Sequence, residues 1–176
     1  ACDSFVKWNG GEVSGKERLN LLWKTYNPKI LSQLNEKELI QEYNIPKYKL
    51  DCQLYQRSGD IFLGTPLNTP SYSLLTHIIA KLTNMVVGEF IHTFGDVHLY
   101  DNLIEPATEQ LTRDPNKYPL PNLILSDKFN QENLPKDIDT DLDVWLNSLS
   151  LIDFKLDNYQ SYPSIKGELS TGVIVK

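Results

Sequence analysis

The chain has 176 residues, of which 40% are hydrophobic and 23% are charged, and these proportions are typical of one globular domain with a hydrophobic core. Its net charge of −6 disfavours a general nucleic-acid binder or a membrane-surface binder, because both need a basic face. No apolar run approaches membrane-spanning length and residues 1–3 do not begin a signal peptide, so we expect no membrane association.

The cysteine and histidine content predicts neither disulfides nor a metal site. Two cysteines, Cys2 and Cys52, do not make a disulfide framework. The three histidines are scattered and lack metal-ligand spacing. We therefore expect a reduced, cytoplasmic setting and no metal. On composition alone, Cys2 is an incidental thiol.

The first part of the chain predicts a strand followed by a helical segment. Residues 1–8 read as a strand, and the sequence Asn-Gly-Gly at 9–11 indicates a turn. Ser14 and Glu17 have the spacing of a capping box, which predicts a helix of about three turns. Apolar residues up to position 43 predict one or two further short helices. Residues 9–46 are therefore expected to form a helical insertion.

Residues 49–60 predict a strand, and the stretch 53–68, QLYQRSGDIFLGTPLN, continues it into a turn. This stretch places Gln56, Arg57, Ser58 and Asp60 within five positions. Two interpretations follow from the residues alone. The strand and turn present donors to an anionic ligand, or the polar side chains simply face solvent.

The next segments predict a helix and a second strand. The helix starts at 69–70, and its apolar face consists of Leu74, Leu75, Ile78, Ile79 and Leu82. Residues 86–94 predict a strand. Alternation in the extended segment that follows places Asp96, His98 and Tyr100 on one side. These three side chains form either a polar site or a network that ties the strand to a neighbouring helix.

The last third of the chain predicts shorter elements. Asn102 is expected to cap another helix, with inward-facing residues at Leu103, Ile104, Ala107 and Leu111. Residues 119–125 lead into a short strand, and residues 153–159 alternate like another strand. Between them, residues 126–150 are expected to be a second surface insertion that is weakly helical. Residues 161–176 predict an extended tail.

Two of these segments, QLYQRSGDIFLGTPLN and HTFGDVHLYDN, resemble the most distinctive motifs of the thymidylate synthase family. The resemblance covers residues 1–8, 48–125 and 154–175. It implies an α/β fold, a mixed sheet with packed helices, of which only the carboxyl-terminal portion is present, with insertions at about 9–46 and 126–150. The outer face of the family's sheet is a dimer interface, so the resemblance implies a homodimer. Because only the carboxyl-terminal portion matches, the alternative is complementation by an amino-terminal half.

The resemblance also implies a chemistry. Cys2 matches the nucleophile that adds to C6 of dUMP, after which 5,10-methylenetetrahydrofolate supplies a one-carbon unit and a hydride to give dTMP. Arg57 matches the residue that binds phosphate near that sulfur. This agrees with general chemistry, because a thiolate is the reactive form and a neighbouring guanidinium lowers a thiol's pKa. The implied activity is that of a methyltransferase.

Further residues of the first motif match positions around the nucleotide and the reduced folate. Ser58 matches a second phosphate donor, and Gln56 matches its neighbour in the site. Asp60 matches a carboxylate that contacts the folate ring. Gly64 matches a glycine that lets backbone approach the pyrimidine, a common reason for glycine beside a ligand.

The remaining matches concern the base and the sugar. Asn68 matches the base-reading amide, whose donor and acceptor can pair with O4 and N3–H of uracil. Relatives that use cytosine carry Asp at that place, so Asn68 implies a uracil substrate. His98 and Tyr100 match the pair that hydrogen-bonds the deoxyribose hydroxyl.

Departures from the family pattern leave three functions open. Asp3 stands where the family has histidine, and a carboxylate beside a thiol raises its pKa. The family's first half, which carries the glutamate that handles protons, precedes the nucleophile. The open functions are methylation that needs the missing half, hydroxymethylation of deoxyuridylate, and an inactive nucleotide-binding or interaction module.

Overall fold

The computed structural model describes residues 4–25 and 44–169. Their contacts divide the chain into two compact units. Among the described residues, unit 1 contains residues 57–69 and those from 94 onward, and unit 2 contains residues 70–93 and those up to 56. Cys2 and Asp3, the helices predicted within 26–43, and the end of the predicted tail lie outside the described residues.

Unit 2 is built on an antiparallel strand pair. Strand β1 (Ser4–Glu12) pairs with strand β2 (Tyr48–Asp60), in a register that runs from Ser4 opposite Gln56 to Glu12 opposite Tyr48. The turn predicted at 9–11 is wrong, since these residues pair with 49–51 and continue the ladder. The chain therefore leaves the strand pair after Glu12 and returns to it at Tyr48.

Helix α1 (Gly15–Thr25) follows β1, and its predicted capping box is confirmed. The Ser14 backbone N–H donates to Oε2 of Glu17 at 3.0 Å, and the Glu17 N–H donates to the Ser14 hydroxyl at 3.3 Å. Both donors at the start of the helix are thus satisfied by side chains, which is why the helix begins at this point.

Strand β3 (Val86–His98) lies on the other side of β2, in the strand order β1-β2-β3. The Glu89 N–H donates to Asp51 Oδ1 at 2.9 Å, and His92 contacts Gln56 at 3.0 Å. These contacts occur in the same order along both strands, which is the arrangement of parallel neighbours joined by a helical crossover. With β1 antiparallel to β2, the sheet is mixed, and the predicted α/β fold class is confirmed.

The crossover is helix α2 (Thr65–Leu82), which starts earlier than predicted. The start predicted at 69–70 is wrong, because the Gly64 carbonyl already accepts from the N–H groups of Leu67 and Asn68, and Pro70 lies inside the helix. Its buried residues are Thr76 and Ala80. Leu75, expected on the inward face, is 39% exposed.

Unit 1 contains a short helix and a two-stranded sheet. A 3₁₀ turn at Asp101–Leu103 leads into helix α3 (Ile104–Leu111). Strands β4 (Asn122–Leu125) and β5 (Phe154–Asp157) pair antiparallel, which confirms both predicted strands. Leu103 is buried as expected. The inward positions predicted for Ile104 and Leu111 are wrong, because their side chains are 52% and 86% exposed.

The segment between β4 and β5 has a small core of its own. It contains three 3₁₀ turns and helix α4 (Ile138–Ser148), so the predicted helical character is confirmed. The Phe129 ring packs edge-on against Trp145 at 5.1 Å and against Phe154 at 5.6 Å. Phe129 is only 2% exposed. That residues 9–46 and 126–150 are insertions in a single domain stays a prediction.

Among the described residues, no helix is long and apolar enough to cross a membrane.

Candidate functional site

The turn after β2 is shaped by Asp60. Its Oδ1 accepts hydrogen bonds from the backbone N–H groups of Phe62, at 3.0 Å, and Leu63, at 3.3 Å. This is the local geometry that aspartate favours in turns. Within the described residues Asp60 Oδ2 has no hydrogen bond, and the side chain is half-buried. One oxygen therefore holds the turn, and the other is available to a ligand donor.

Gly64 connects this turn to α2. A Cβ at Gly64 would lie 3.3 Å from the Asp60 carbonyl oxygen, which is closer than side chains usually pack against backbone. The Gly64 carbonyl also accepts from the Asn68 N–H at 3.0 Å. Asn68 thus lies in the first turn of α2, half-buried, at the helix end that carries partial positive charge.

The end of β3 carries a histidine held by a carboxylate. His98 Nδ1 lies 3.1 Å from Asp96 Oδ2, and the His98 side chain is 29% exposed. The ring of Tyr100 meets the His98 ring edge-on at 5.1 Å. The alternation predicted for these three residues is thus realised as a contact network. It lies at a strand end, and the partner of His98 is a side chain on its own strand.

The Asp60 turn and the end of β3 are joined directly. The Ile61 N–H donates to the His98 carbonyl at 3.0 Å. Two residues before Ile61, a Cβ at Gly59 would lie 2.6 Å from the Phe94 ring, so only glycine allows this approach. The parts of the two motifs that belong to unit 1, residues 57–68 and 94–102, are therefore neighbours.

The carboxyl-terminal segment packs on the same turn. Asn102 Nδ2 donates to the Glu168 carbonyl at 2.8 Å, so this side chain anchors the tail instead of capping a helix. A Cβ at Gly167 would lie within 3.1 Å of Phe62, Leu63 and Leu103, all in unit 1. The sequence did not show this contact, because residues this far apart are joined only by the fold.

The residues predicted to lie around the phosphate are three consecutive residues of β2, namely Gln56, Arg57 and Ser58. Burial alternates along the strand: Gln56 is 4% exposed, Arg57 is exposed and Ser58 is half-buried. Arg57 therefore lies on the opposite face of β2 from Gln56 and Ser58. Gln56 Oε1 lies 3.0 Å from His92 Nε2, a partner that sequence reasoning did not assign to the site.

The structure brings most of the predicted site residues into one unit, as follows: Arg57, Ser58, Asp60, Gly64, Asn68, His98 and Tyr100. Gln56 belongs to unit 2, and Cys2 lies outside the described residues. The roles assigned to these residues stay predictions. His92 is the partner to which the sequence assigned no role, whereas Asp96 was expected to lie with His98 and Tyr100 in a polar site or a network. A polar residue two positions before His98 was the available signal for Asp96.

A cleft of unit 1 has a volume of about 670 Å³ and begins beside the Asp60 turn. Its walls include Phe62 and Leu63 of the turn, Arg113 after α3, and Tyr162 of the tail. None of the predicted site residues lines it. Arg113 joins its two sides, because Nη1 donates to the Pro163 carbonyl at 2.7 Å.

Burial changes the pKa of two groups on the strands of unit 2. Burial raises the pKa of the Cys52 thiol, and burial lowers the pKa of His92. Both groups are thereby kept neutral near pH 7. Among the residues described here, no group of three or more histidine, cysteine and acidic side chains could hold a metal ion.

Residues 16–171 match a family model described as thymidylate synthase. A thymidylate synthase of Listeria monocytogenes serotype 4b (strain CLIP80459) is 46% identical over 152 residues, which are 85% of this chain and 43% of that protein. One from serotype 4a (strain HCC23) is 50% identical over 129 residues, 73% of this chain and 36% of that protein. One from Listeria innocua serovar 6a is 49% identical over the same shares.

The chain belongs to the thymidylate synthase family. It spans less than half the length of these relatives, 43% and 36% for the two Listeria monocytogenes proteins. The range matched by the thymidylate synthase model begins at residue 16, after Cys2, and it includes most of the first segment predicted as an insertion and all of the second.

Proposed function

We propose that this chain is the nucleotide-binding portion of an enzyme that methylates dUMP to dTMP with 5,10-methylenetetrahydrofolate. One observation carries the proposal: the Ile61 N–H donates to the His98 carbonyl at 3.0 Å. This bond brings the segment with Arg57 and Ser58 next to the segment with His98 and Tyr100. Phosphate donors and sugar ligands then come from adjacent segments of one unit, as a nucleotide requires.

The Asp96–His98 pair suits a sugar hydroxyl. When the Nδ1–H of His98 donates to Asp96 Oδ2, at 3.1 Å, a neutral ring carries its acceptor at Nε2. In the proposed complex this nitrogen accepts from the deoxyribose 3′-hydroxyl, and the Tyr100 hydroxyl supplies a second partner. Tyr100 is 41% exposed, so its hydroxyl can reach a bound ligand.

Asn68 is proposed to read the base. Its position in the first turn of α2, half-buried, holds the amide on a rigid element. The amide N–H donates to O4 of uracil and the amide oxygen accepts from N3–H. Cytosine presents the reverse pattern, so an amide held in this orientation disfavours it.

The Asp60 turn fits the folate ring. Its Oδ1 is used by the N–H groups of Phe62 and Leu63, while Oδ2 has no hydrogen bond within the described residues. In the proposed complex Oδ2 accepts from a ring N–H, and the Leu63 side chain offers apolar surface beside it. The bound folate supplies the one-carbon unit and the hydride.

Cys2 is proposed as the nucleophile, with Arg57 as the cation that binds phosphate and favours the thiolate. The proposal includes a cytoplasmic, reducing setting, which is supported by the free thiol of Cys52. The names of the relatives favour methylation over hydroxymethylation.

A partner is part of the proposal. The chain spans 43% or less of the length of the compared relatives, so an amino-terminal half is proposed to complete the enzyme.

A homodimer through the sheet is also proposed, and residues of β1 and β2 support it. Phe5 and Tyr55 are register partners on one face, and their side chains are 71% and 41% exposed. An apolar pair this exposed is typical of an interface.

The deciding experiment combines the protein, supplied with its amino-terminal half, with 5-fluoro-dUMP and methylenetetrahydrofolate. Intact-mass and peptide mass spectrometry then locate any covalent adduct. We expect a ternary adduct on Cys2 that is absent in Cys2→Ser. The matched control is Cys52→Ser, which removes a fully buried thiol and leaves the adduct in place. A protein that binds the nucleotide only reversibly contradicts the proposal. With dUMP, a product heavier than dTMP by one oxygen identifies hydroxymethylation.

A further inference from the structure

The tail is held within unit 1 by two side chains that flank helix α3. Asn102, in the turn before the helix, donates from Nδ2 to the Glu168 carbonyl at 2.8 Å. Arg113, two residues after the helix, donates from Nη1 to the Pro163 carbonyl at 2.7 Å. Both acceptors are backbone oxygens, so these bonds fix the path of the tail backbone between residues 163 and 168.

Gly167 is the point at which the tail backbone meets the Asp60 turn. It is half-buried, whereas its two neighbours in the chain are exposed. A Cβ at this position would lie 2.9 Å from the Phe62 ring and 3.1 Å from the Leu63 side chain. Distances this short mean that the tail backbone itself packs on these two side chains. The Asn102 bond to the next residue, Glu168, holds the tail at this contact.

The two residues under the tail are the same two that hold the Asp60 carboxylate. The N–H groups of Phe62 and Leu63 donate to Asp60 Oδ1 at 3.0 Å and 3.3 Å. Their backbone is therefore held by Asp60 and their side chains by the tail. If the tail moves away, the two donors are less well fixed, and the direction of Asp60 Oδ2 is less well fixed with them.

We propose that Asn102 is a positioning residue for the reduced folate, which acts by holding the tail on the Asp60 turn so that Asp60 Oδ2 is directed at the folate ring. The inference rests on the proposed function, in which this oxygen accepts from a ring N–H. All residues in the chain of contacts belong to unit 1. Asn102 acts through the tail and needs no contact with substrate.

The test uses steady-state kinetics of the enzyme that contains this chain and its amino-terminal half. Asn102→Asp keeps the size of the side chain and removes the donor. We expect it to raise KM for methylenetetrahydrofolate about fivefold with little change in kcat. KM for dUMP is expected to change less than about twofold, because Arg57 and His98 lie on β2 and β3 and not in the Asp60 turn.

A double-mutant cycle tests whether Asn102 acts through Asp60. Asp60→Asn keeps an oxygen that can accept from Phe62 and Leu63, but it replaces the second oxygen by an amide N–H₂ that cannot accept. In this background Asn102→Asp is expected to change KM for methylenetetrahydrofolate less than about twofold, because the group through which it acts is gone.

Two further variants separate positioning from structural support. Asn102→Gln keeps an amide donor at an exposed position and is expected to hold KM for methylenetetrahydrofolate within about twofold of the wild type. Asn116→Asp, at another exposed asparagine of unit 1, introduces the same charge and is expected to leave KM unchanged. The melting temperature of each variant is measured on the same samples.

The outcomes distinguish the inference from the proposed function. Equal increases in KM for both substrates with a lower melting temperature indicate a structural role of Asn102 and overturn the inference alone. An effect of Asn102→Asp that is the same with and without Asp60→Asn, or the absence of rescue by Asn102→Gln, also overturns it alone. Wild-type enzyme that forms no ternary adduct with 5-fluoro-dUMP and methylenetetrahydrofolate overturns the proposed function, and the inference with it.

Discussion

The His98 ring at the end of β3 is held by the carboxylate of Asp96, two residues earlier, with 3.1 Å between Nδ1 and Oδ2. Asp96→Asn is expected to raise KM for dUMP about tenfold, or ~1.4 kcal/mol, because an amide in its place no longer selects the tautomer with Nε2 as acceptor. Steady-state kinetics with dUMP measure this change. Glu105→Gln, an exposed acid on α3, is the control and leaves KM unchanged. Equal KM values for Asp96→Asn and the wild type contradict the assignment.

Arg57 offers a test based on ionic strength. Arg57→Ala is expected to weaken dUMP binding at least about tenfold at low ionic strength and less at high ionic strength, because a charge-assisted contact with phosphate is lost. Titration calorimetry with dUMP and with deoxyuridine separates the phosphate contribution, since the nucleoside should bind both proteins equally. Lys49→Ala, a cation on the same face of β2, is the control. A loss of deoxyuridine affinity as large as that of dUMP argues against a phosphate contact.

Strands and their alternation were predictable, because period-two burial is a local property of the sequence. The start of α2 was not. Pro70 reads as a first helical residue, whereas the structure begins the helix at the Gly64 carbonyl, which accepts from Leu67 and Asn68. Because proline is common at the first helical position, the proline in an early turn of α2 led to a predicted start that is too late.

The sequence motifs allowed individual residues of the site to be predicted, but not the contacts between them. The resemblance identified Arg57 and His98, but their adjacency rests on one backbone bond between Ile61 and His98. The partner of Gln56 was not predictable, because His92 reaches it only through the register of β2 and β3. Contacts between strands depend on register, which the residues of one strand do not determine.

Asn68 allows the specificity for the base to be tested. Asn68→Asp is expected to shift the preference from uracil toward cytosine at least about tenfold, because a carboxyl group replaces the amide donor that pairs with O4. Competition binding between dUMP and dCMP measures the ratio. Asn116→Asp, an exposed change in the same unit, introduces the same charge and should leave the ratio unaltered. If the ratio is the same in both variants, Asn68 does not read the base.

The segment between β4 and β5 depends on a buried carboxylate. Asp153 is 3% exposed; its Oδ1 accepts from the Ser126 hydroxyl at 2.7 Å, and its Oδ2 accepts from the Ser150 N–H at 2.8 Å and from Lys128 Nζ at 3.0 Å. These bonds, above all the one from Ser126, lower the pKa of Asp153 from 3.8 to about 2. The charged form is therefore the one that the fold stabilises.

A lowered pKa predicts a definite pH dependence. The contribution of Asp153 to the free energy of unfolding is fully present above its unfolded pKa of 3.8 and is lost as the pH falls toward about 2. Asp153→Asn is therefore expected to lower the melting temperature by several degrees at neutral pH, with a difference that shrinks in acid. Thermal unfolding from neutral to acidic pH measures this. Asp157→Asn, a more exposed acid on β5, should change little. If the melting temperature of Asp153→Asn is lower than that of the wild type by the same amount down to the lowest pH, the loss is due to packing and not to the charge.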